Sequence, residues 1–349
     1  MKVLVTGGLG YIGSHTVVEL SNNGFECIVI DNLINSEIQV LNSLENLCEN
    51  NVEFLQADLM NMEQLSSIFD TYQFEAVFHF AGVKSPAESV LKPLKYFEEN
   101  LGSTINLLKE MQRKDIKKLI FSSSATVYGD LTKSPVYEGA PTSILNPYGR
   151  TKLMIEEMLQ DLSNSDPKWS IAVLRYFNPI GAHPSGTIGE KPSGIPNNLM
   201  PYITQVASGE REHLNIFGND YSTHDGTGVR DYIHIMDLAN GHLKALKYLD
   251  KHSGNHLFNL GTGKGYSVLD LINTFEEVNG IKIPYKIMER RPGDIAISYA
   301  DSSKAEKELG WKAERGLKEM CENAWKWEKK NIYSTTINSD ELVLDSLLK

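Results

Sequence analysis

Through the first half of the chain, short runs of β-branched and aromatic residues alternate with longer amphipathic stretches. The runs are Lys2-Val3-Leu4-Val5, Cys27-Ile28-Val29-Ile30, Val52-Glu53-Phe54-Leu55, Ala76-Val77-Phe78-His79-Phe80 and Leu119-Ile120-Phe121. Between them, residues 11–22, 38–49, 62–72 and 96–112 carry helical periodicity over lengths that suit right-handed crossovers. Strands and helices in that rhythm predict a doubly wound α/β domain on a parallel sheet. A helix over about residues 148–162 and a strand over 171–176 extend the sheet by the same logic.

After Asn178 the texture changes to glycine, proline and polar residues, as in His183-Pro184-Ser185-Gly186 and Lys191-Pro192-Ser193-Gly194-Ile195-Pro196. The expected division is a first domain over residues 1–178 and a smaller α/β lobe over 179–349, with segments of the second free to return to the first. Residues 255–260 and helical patterns starting at Ser267 and Ser303 give the lobe ordered structure, and the polar tail from about Asn331 is either a loose end or a docked helix. No internal repeat or low-complexity tract interrupts the chain.

Charge narrows the partners. Thirty-four basic against 45 acidic residues give a net charge of −11, which opposes broad contact with nucleic acid or an anionic membrane. A phosphorylated ligand must therefore meet local arginines or backbone amides. Cys27, Cys48 and Cys321 are odd in number and widely spaced, implying neither a disulfide framework nor a metal site. His252 and His256 have helix-like metal spacing, but Ser253 and Gly254 between them favour a turn, so no metal is expected. With no targeting signal and no stretch apolar enough to span a bilayer, a cytoplasmic location is expected.

Gly7, Gly10 and Gly13 follow the first strand directly and open a helix. A glycine triplet alone is equally an ordinary strand-to-helix turn. In this context glycine permits a tight turn and lets backbone amides at the helix start reach a pyrophosphate. The next strand ends in Asp31, where a carboxylate can take the adenosine ribose hydroxyls and repel a 2′-phosphate, favouring NAD over NADP.

Tyr148 and Lys152 lie four apart, on one helix face. A tyrosine with its ordinary pKa of about 10 is a poor base at neutral pH. A neighbouring ammonium and an oxidised nicotinamide would both favour the phenolate. Alone such a pair is commonly a surface feature; behind a dinucleotide fold it becomes a candidate general base and its partner. The preceding strand ends in Ser122-Ser123-Ser124, at the edge where open α/β sheets bind ligands. Ser124 either helps the proton transfer or satisfies backbone groups at the strand end.

These pieces resemble the extended short-chain dehydrogenase family with its Rossmann sheet, and within it the UDP-galactose 4-epimerases. The resemblance covers nearly the whole chain and rests on residues 6–14, Asp31-Asn32-Leu33 with Asn35-Ser36, His79-Phe80-Ala81-Gly82 with Lys84, residues 122–130, Pro147-Tyr148-Gly149 with Lys152, and Arg175-Tyr176-Phe177-Asn178-Pro179. Residues 194–201 and 226–234 are its most specific stretches. It implies Tyr148 as base, Lys152 as its electrostatic partner and nicotinamide-ribose ligand, and Ser124 as hydrogen-bonding helper. NAD would be lined by Gly7, Gly10, Tyr11, Ile12, Gly13, Asp31, Asn32, Asn35, Ser36, Asp58, Leu59, Phe80, Ala81, Gly82, Lys84, Asn100, Ser122, Tyr148, Lys152 and Phe177. Glu99-Asn100 stands where some bacterial members have two asparagines, so only Asn100 is carried over. The UDP-sugar would meet Lys84, Ser124, Asn178, Asn198, Leu199, Asn215, Phe217, Arg230, Arg291, Asp294 and Ser298. Arginine suits a diphosphate because its guanidinium is a planar fork of donors.

The implied reaction removes the sugar 4-hydroxyl proton at Tyr148 while C4 gives a hydride to NAD; the 4-keto sugar turns over and is reduced on its other face. A homodimer is frequent in the family. Two other readings share parts of the pattern. A sugar-nucleotide 4,6-dehydratase needs an acid and a base just after Ser124, where this chain has Ala125 and Thr126. A non-catalytic dinucleotide-binding regulator has no use for Tyr148, Lys152 and Ser124 together. Finally, Ser298 aligns with a position that is tyrosine in members confined to UDP-glucose and UDP-galactose and small in members that also accept N-acetylated sugars.

Overall fold

The structure is a computed structural model that describes residues 1–347 except 131–132, 195 and 292, with side chains described through Ile332. In chain order the first half runs β1 (Lys2–Thr6), α1 (Tyr11–Ser21), β2 (Glu26–Asp31), α2 (Val40–Leu47), β3 (Val52–Gln56), α3 (Met62–Thr71), β4 (Ala76–His79), α4 (Pro86–Leu91), α5 (Pro93–Arg113), β5 (Lys118–Ser124), α6 (Pro147–Ser165) and β6 (Ser170–Tyr176). The second half continues with β7 (Asn178–Ile180), α7 (Leu199–Ala207), β8 (Leu214–Phe217), β9 (Val229–Arg230), β10 (Tyr232–His234), α8 (Ile235–Leu249), β11 (Gly254–Leu260), β12 (Tyr266–Ser267), α9 (Val268–Asn279), β13 (Tyr285–Met288), β14 (Ile297–Ser298) and α10 (Leu317–Leu347).

Seven parallel strands form the main sheet in the order β11-β6-β5-β4-β1-β2-β3. Its strands are buried on both faces, and their alternation splits the core in two. Val3, Val5, Cys27, Val29, Ala76 and Phe78 pack with α1 and α8 on one face. Leu4, Ile28, Ile30 and Val77 pack with Leu65 and Phe69 of α3, Leu107 and Met111 of α5 and Ile155 and Leu159 of α6 on the other. Burying each such side chain contributes about 1.5–3 kcal/mol, so β1 sits at the most heavily covered part of the molecule. The chain reverses direction of winding between β1 and β4, which opens a crevice at their C-terminal ends.

Two expectations change in the structure. The residues 255–260 read as part of the second lobe belong to β11, the seventh strand of the main sheet, registered from Gly254↔Ser170 to Leu260↔Tyr176; pattern identifies a strand but not its sheet. The helix expected from residue 96 begins at Pro93, where proline is pre-organised for a first turn, and a separate short helix, α4, precedes it, capped by Ser85. The helical pattern from Ser303 is present as α-helical residues 303–304 running into a five-residue π turn, Ala305–Leu309, ended by Gly310 at φ +60°. His252 and His256 turn their ring nitrogens to the carbonyls of Tyr248 and Ser253, at 2.9 Å each.

The second lobe is built from small sheets, β10-β7, β12-β9-β14 and β13-β8, around a separate core that includes Met200, Ile203, Leu271, Phe275 and Trp325. Its α9 is fixed by a capping box between Ser267 and Asp270 and stopped by Gly280 in the left-handed region. Beyond Asn331 the backbone continues the helix α10. Among the described residues, no helix is long and apolar enough to cross a membrane.

Candidate active site

A cleft of about 1150 Å³ runs along the C-terminal edge of β4, β1 and β2 and extends under the second lobe. Its floor is the glycine turn. Gly7 has φ +69°, and a Cβ there would lie 2.7 Å from the Ala81 amide nitrogen; at Gly13 it would lie 2.3 Å from the Gly7 carbonyl oxygen. Neither position accepts a side chain. Helical bonding in α1 starts with the Ser14 N–H to the Gly10 carbonyl, at 2.9 Å, so the N–H groups of its first turn, from Tyr11 to Gly13, are directed out of the helix end, where they can hold an anion.

Asp31 ends β2 beside that turn. Its carboxylate accepts from the Leu9 N–H at 3.1 Å, the Leu33 N–H at 3.0 Å and the Ser36 hydroxyl at 2.7 Å. These bonds fix the carboxylate at the rim and leave acceptor capacity for ribose hydroxyls. Asn32 donates to Asp58 at 3.1 Å, tying the loops after β2 and β3 together. Tyr11, Ile12, Asn35, Leu59, Phe80, Ala81, Gly82, Lys84, Ser122 and Phe177 also line the cleft. A cradle free of Cβ atoms, unbonded amides and a ribose-height carboxylate fit the pyrophosphate and adenosine of NAD.

The chemical group sits at the start of α6. Asn146 caps this helix by accepting from the Gly149 N–H at 2.8 Å, and Pro147 follows, so Tyr148 falls in the first turn at the positive end of the helix dipole. Lys152 lies one turn on, buried, and donates to the Ser122 carbonyl at 2.7 Å. Its ammonium lies 6.0 Å from the centre of the Tyr148 ring and 4.9 Å from that of Phe121. Ser124 accepts from the Thr126 N–H at 3.2 Å and hydroxyl at 2.9 Å, which leaves its own proton free to donate.

The electrostatics of this group are set by burial. Burial pushes the Tyr148 phenol up to about 12, with hydrogen bonding from Ser124 pulling the other way. Burial pushes Lys152 down to about 8 against the opposing pull of Glu156. The ammonium is engaged with the Ser122 carbonyl, and at the phenol desolvation outweighs the hydrogen bond from Ser124. Beneath Lys152, Glu156 is paired with buried Arg175 at 2.5 Å and accepts from Ser123, and His79, bonded to Thr6 and Thr104, is pushed down to about 3 by burial and by Lys152.

At the other end, Asn178, Asn198, Phe217, Arg291 and Asp294 face the same cleft. Arg291 lies 4.6 Å from the Phe217 ring centre and pairs with Asp294 at 2.9 Å. Arg230 stands on β9 just off the wall, its guanidinium pushed down by burial, with Asp294 opposing and Arg291 adding to the shift. Ser298, its register partner on β14, stays off the wall as well.

Several expected residues stay off the wall. Asn100 is buried behind it, with its amide accepting from the Val83 N–H at 2.8 Å and donating to the Val83 carbonyl and Thr151; Glu98, Glu99 and Ser103 of the same helix face the cleft instead. Leu199 packs into the core of the second lobe, and Asn215 is exposed on β8. Within the specific stretch 194–201, Ile195 lies outside the described residues, as does Pro292 beside Arg291. Sequence reasoning passed over Glu190, whose carboxylate accepts from Asn198 at 2.6 Å and pairs with Lys84 at 3.5 Å. A lone glutamate in a loop carries no local signal.

A family model described as GDP-mannose 4,6 dehydratase matches residues 4–324. A UDP-glucose 4-epimerase of Bacillus subtilis is 55% identical over 332 residues, covering 95% of this chain and 98% of its own. Two solved structures are similar throughout. A UDP-glucose 4-epimerase of Stenotrophomonas maltophila with bound NAD and formylated UDP-arabinopyranose has a TM-score of 0.94 at 48% identity, over 96% of this chain and 99% of that one. A UDP-glucose 4-epimerase of Bifidobacterium longum in complex with NAD+ and UDP has a TM-score of 0.92 at 49% identity, over 95% and 99%. With its glycine cradle, the Tyr148 group and similarity along nearly its whole length, the chain belongs to the extended short-chain dehydrogenases and, among them, to the UDP-glucose 4-epimerase family.

Proposed function

We propose that the protein interconverts UDP-glucose and UDP-galactose on an NAD that stays bound, with Tyr148 as general base. One observation carries the reading: a single cleft joins the cradle of Gly7, Gly10 and Gly13 and Asp31 to Tyr148, Lys152 and Ser124 at one end and to Arg291 at the other. Bound NAD supplies a reversible hydride acceptor and a positive ring beside the phenol. Tyr148 takes the 4-hydroxyl proton and later returns it, helped by the first turn of α6 and the free Ser124 proton. Lys152 holds positive charge near the phenolate, and Arg291 and Arg230 anchor the diphosphate while the sugar reorients between oxidation and reduction. Ala125 and Thr126 carry no carboxylate after Ser124, which removes the proton carriers an elimination needs and disfavours the dehydratase reading.

The test is incubation of purified protein, without added NAD, with UDP-glucose or UDP-galactose, and quantification of both epimers. Turnover with protein-bound NAD is expected. Full turnover by protein that carries no nucleotide would contradict the reading.

The same reading includes UDP-GlcNAc and UDP-GalNAc. Its support is Ser298, a small half-buried residue beside Arg230 in a register where parallel neighbours point to one face of the sheet. A homodimer is part of the proposal too, supported by exposed apolar residues on neighbouring helices: Leu94, 80% exposed, and Ile105 on α5, and Met154 on α6. Sedimentation at micromolar concentration checks it, and a monomer there would count against it. A cytoplasmic site of action suits the three free cysteines.

A further inference from the structure

Residues 189–194 leave the second lobe and touch both rims of the cofactor groove. On the far rim, the loop after β2, Lys191 pairs with Glu37 at 2.8 Å and the Ser193 hydroxyl approaches Asn35 at 3.4 Å. On the near rim, the loop after β4, Glu190 pairs with Lys84 at 3.5 Å. Strands β2 and β4 flank β1 in the sheet, so a segment bonded to both loops must cross the C-terminal end of β1, above the glycine turn. Burial raises the pKa of Tyr11, the first residue of α1, and Glu190 adds to the rise, which agrees with that crossing.

The two ends of the crossing are held unequally. At its base, Gly189 lies flat against the Trp327 indole, where a Cβ would come within 2.4 Å of the ring, and the indole N–H donates to the Glu190 carbonyl at 3.3 Å. Trp327 belongs to α10, whose Ala324 and Trp325 are in the core of the second lobe. The far end rests on an ion pair whose side chains are 44% and 48% exposed and on one long hydroxyl contact. Such a pair is weak and is screened by salt.

We propose that residues 189–194 are a strap that retains the dinucleotide, hinged at Trp327 and latched at Glu37, and that Glu190 is its positioning residue, joining Lys84 on the cofactor side to Asn198 on the sugar side. The inference rests on the reading that NAD lies over Gly7, Gly10 and Gly13. Bonded to both rims, such a strap would hold the groove closed between them, and opening it would require one end to lift. The reaction gives the strap a purpose, because a cycle with no net redox change loses activity whenever its cofactor escapes between oxidation and reduction.

The experiment follows release of NAD from the purified holoprotein, after dilution into a dehydrogenase system that consumes free NAD, for wild type, Lys191→Ala, Glu37→Gln, Glu190→Gln and Glu190→Ala. Opening the latch from either of its partners should speed release by about fivefold, the upper end for one exposed ion pair. Wild-type release should quicken as salt is raised, and this dependence should flatten in Lys191→Ala and in Glu37→Gln. Glu190→Gln keeps an acceptor for Asn198 but loses the charge facing Lys84, so it speeds release; Glu190→Ala loses both and should also raise the KM for UDP-galactose more than it lowers kcat. Wild-type release rates and salt dependence in both latch variants would overturn the strap while leaving the cofactor reading intact. Protein that carries no NAD in any form would overturn the cofactor reading, and the strap with it.

Discussion

The two ends of the cleft are made in different ways. At the cofactor end, each functional group sits at the end of a regular element: the glycine turn after β1, Asp31 at the end of β2, Ser124 at the end of β5 and Tyr148 in the first turn of α6. The sheet and its two-sided core fix those ends, so little side-chain choice is involved. At the sugar end, Asn198, Phe217, Arg291 and Asp294 come from loops and short strands, held by pairs such as Arg291 with Asp294 and Asn198 with Glu190. On the proposed function, rigid backbone would serve the chemistry, which needs one geometry, and adjustable side chains would serve a sugar that turns between two orientations. Changes at the first end should therefore act on rate, and changes at the second on affinity and substrate choice.

The largest test of this contrast is Tyr148→Phe. It removes a proton acceptor and leaves the packing of a half-buried ring in place, so turnover should fall by at least about 100-fold. UDP affinity, measured by calorimetry, should stay within a few fold. Equal losses of turnover and affinity would mean that the two ends are not separable.

Arg291→Leu probes the other end. Losing a charge-assisted contact with a diphosphate typically costs about 1.5–3 kcal/mol, so the UDP dissociation constant should rise roughly ten- to 100-fold. The rate at saturating substrate should change much less. A fall in kcat with unchanged UDP affinity would remove Arg291 from the diphosphate site.

Acid tests the seam between the two regions. Burial holds His15, His79 and His234 down to about 3 and His242 to about 4, from an ordinary 6.5. Below pH 6.5 the unfolded chain binds protons that the folded chain refuses, so stability falls as pH drops from 6.5 toward about 4. Each histidine contributes up to about 1.4 kcal/mol per pH unit in that window. Urea midpoints should decline steadily between pH 7 and 5, and a flat profile would show that these rings are not neutral and buried together.

The same contrast decides how much was legible in the sequence. Gly7, Gly10, Gly13, Asp31, Tyr148 and Lys152 could be read because strand, turn and helix adjoin in the chain, so spacing alone positions them. The helix start at Tyr148 was equally local, and Asn146 and Pro147 supply its cap. Contacts between distant segments left no such trace. Glu190 meets Lys84 across 106 positions, and Arg230 meets Ser298 only because β9 and β14 pair. Asn100 is the opposite case: a polar residue behind the cleft wall whose side-chain hydrogen bonds go to Val83 and Thr151. Pattern reveals which residues are polar, and only packing reveals which still have a bond to offer.

The smallest expected effect on basal rate comes from Ser298→Tyr. Ser298 pairs in register with Arg230, and its carbonyl accepts from the Asp231 N–H at 3.0 Å, so the backbone at this point is pinned from the neighbouring strand. A larger side chain cannot be relieved by moving the strand and has to extend over the face that Arg230 shares. A tyrosine there would take up the space a 2-acetamido group needs, and overpacking of this kind excludes the larger substrate while sparing the smaller one. The variant should lose most activity on UDP-GlcNAc and UDP-GalNAc and keep most of its activity on UDP-galactose. Because both substrates are assayed on one preparation, a folding defect would lower both and leave their ratio unchanged. A ratio equal to that of the wild type in well-folded protein would show that Ser298 is not the gate, and that selection by size at the sugar end is made elsewhere along the cleft.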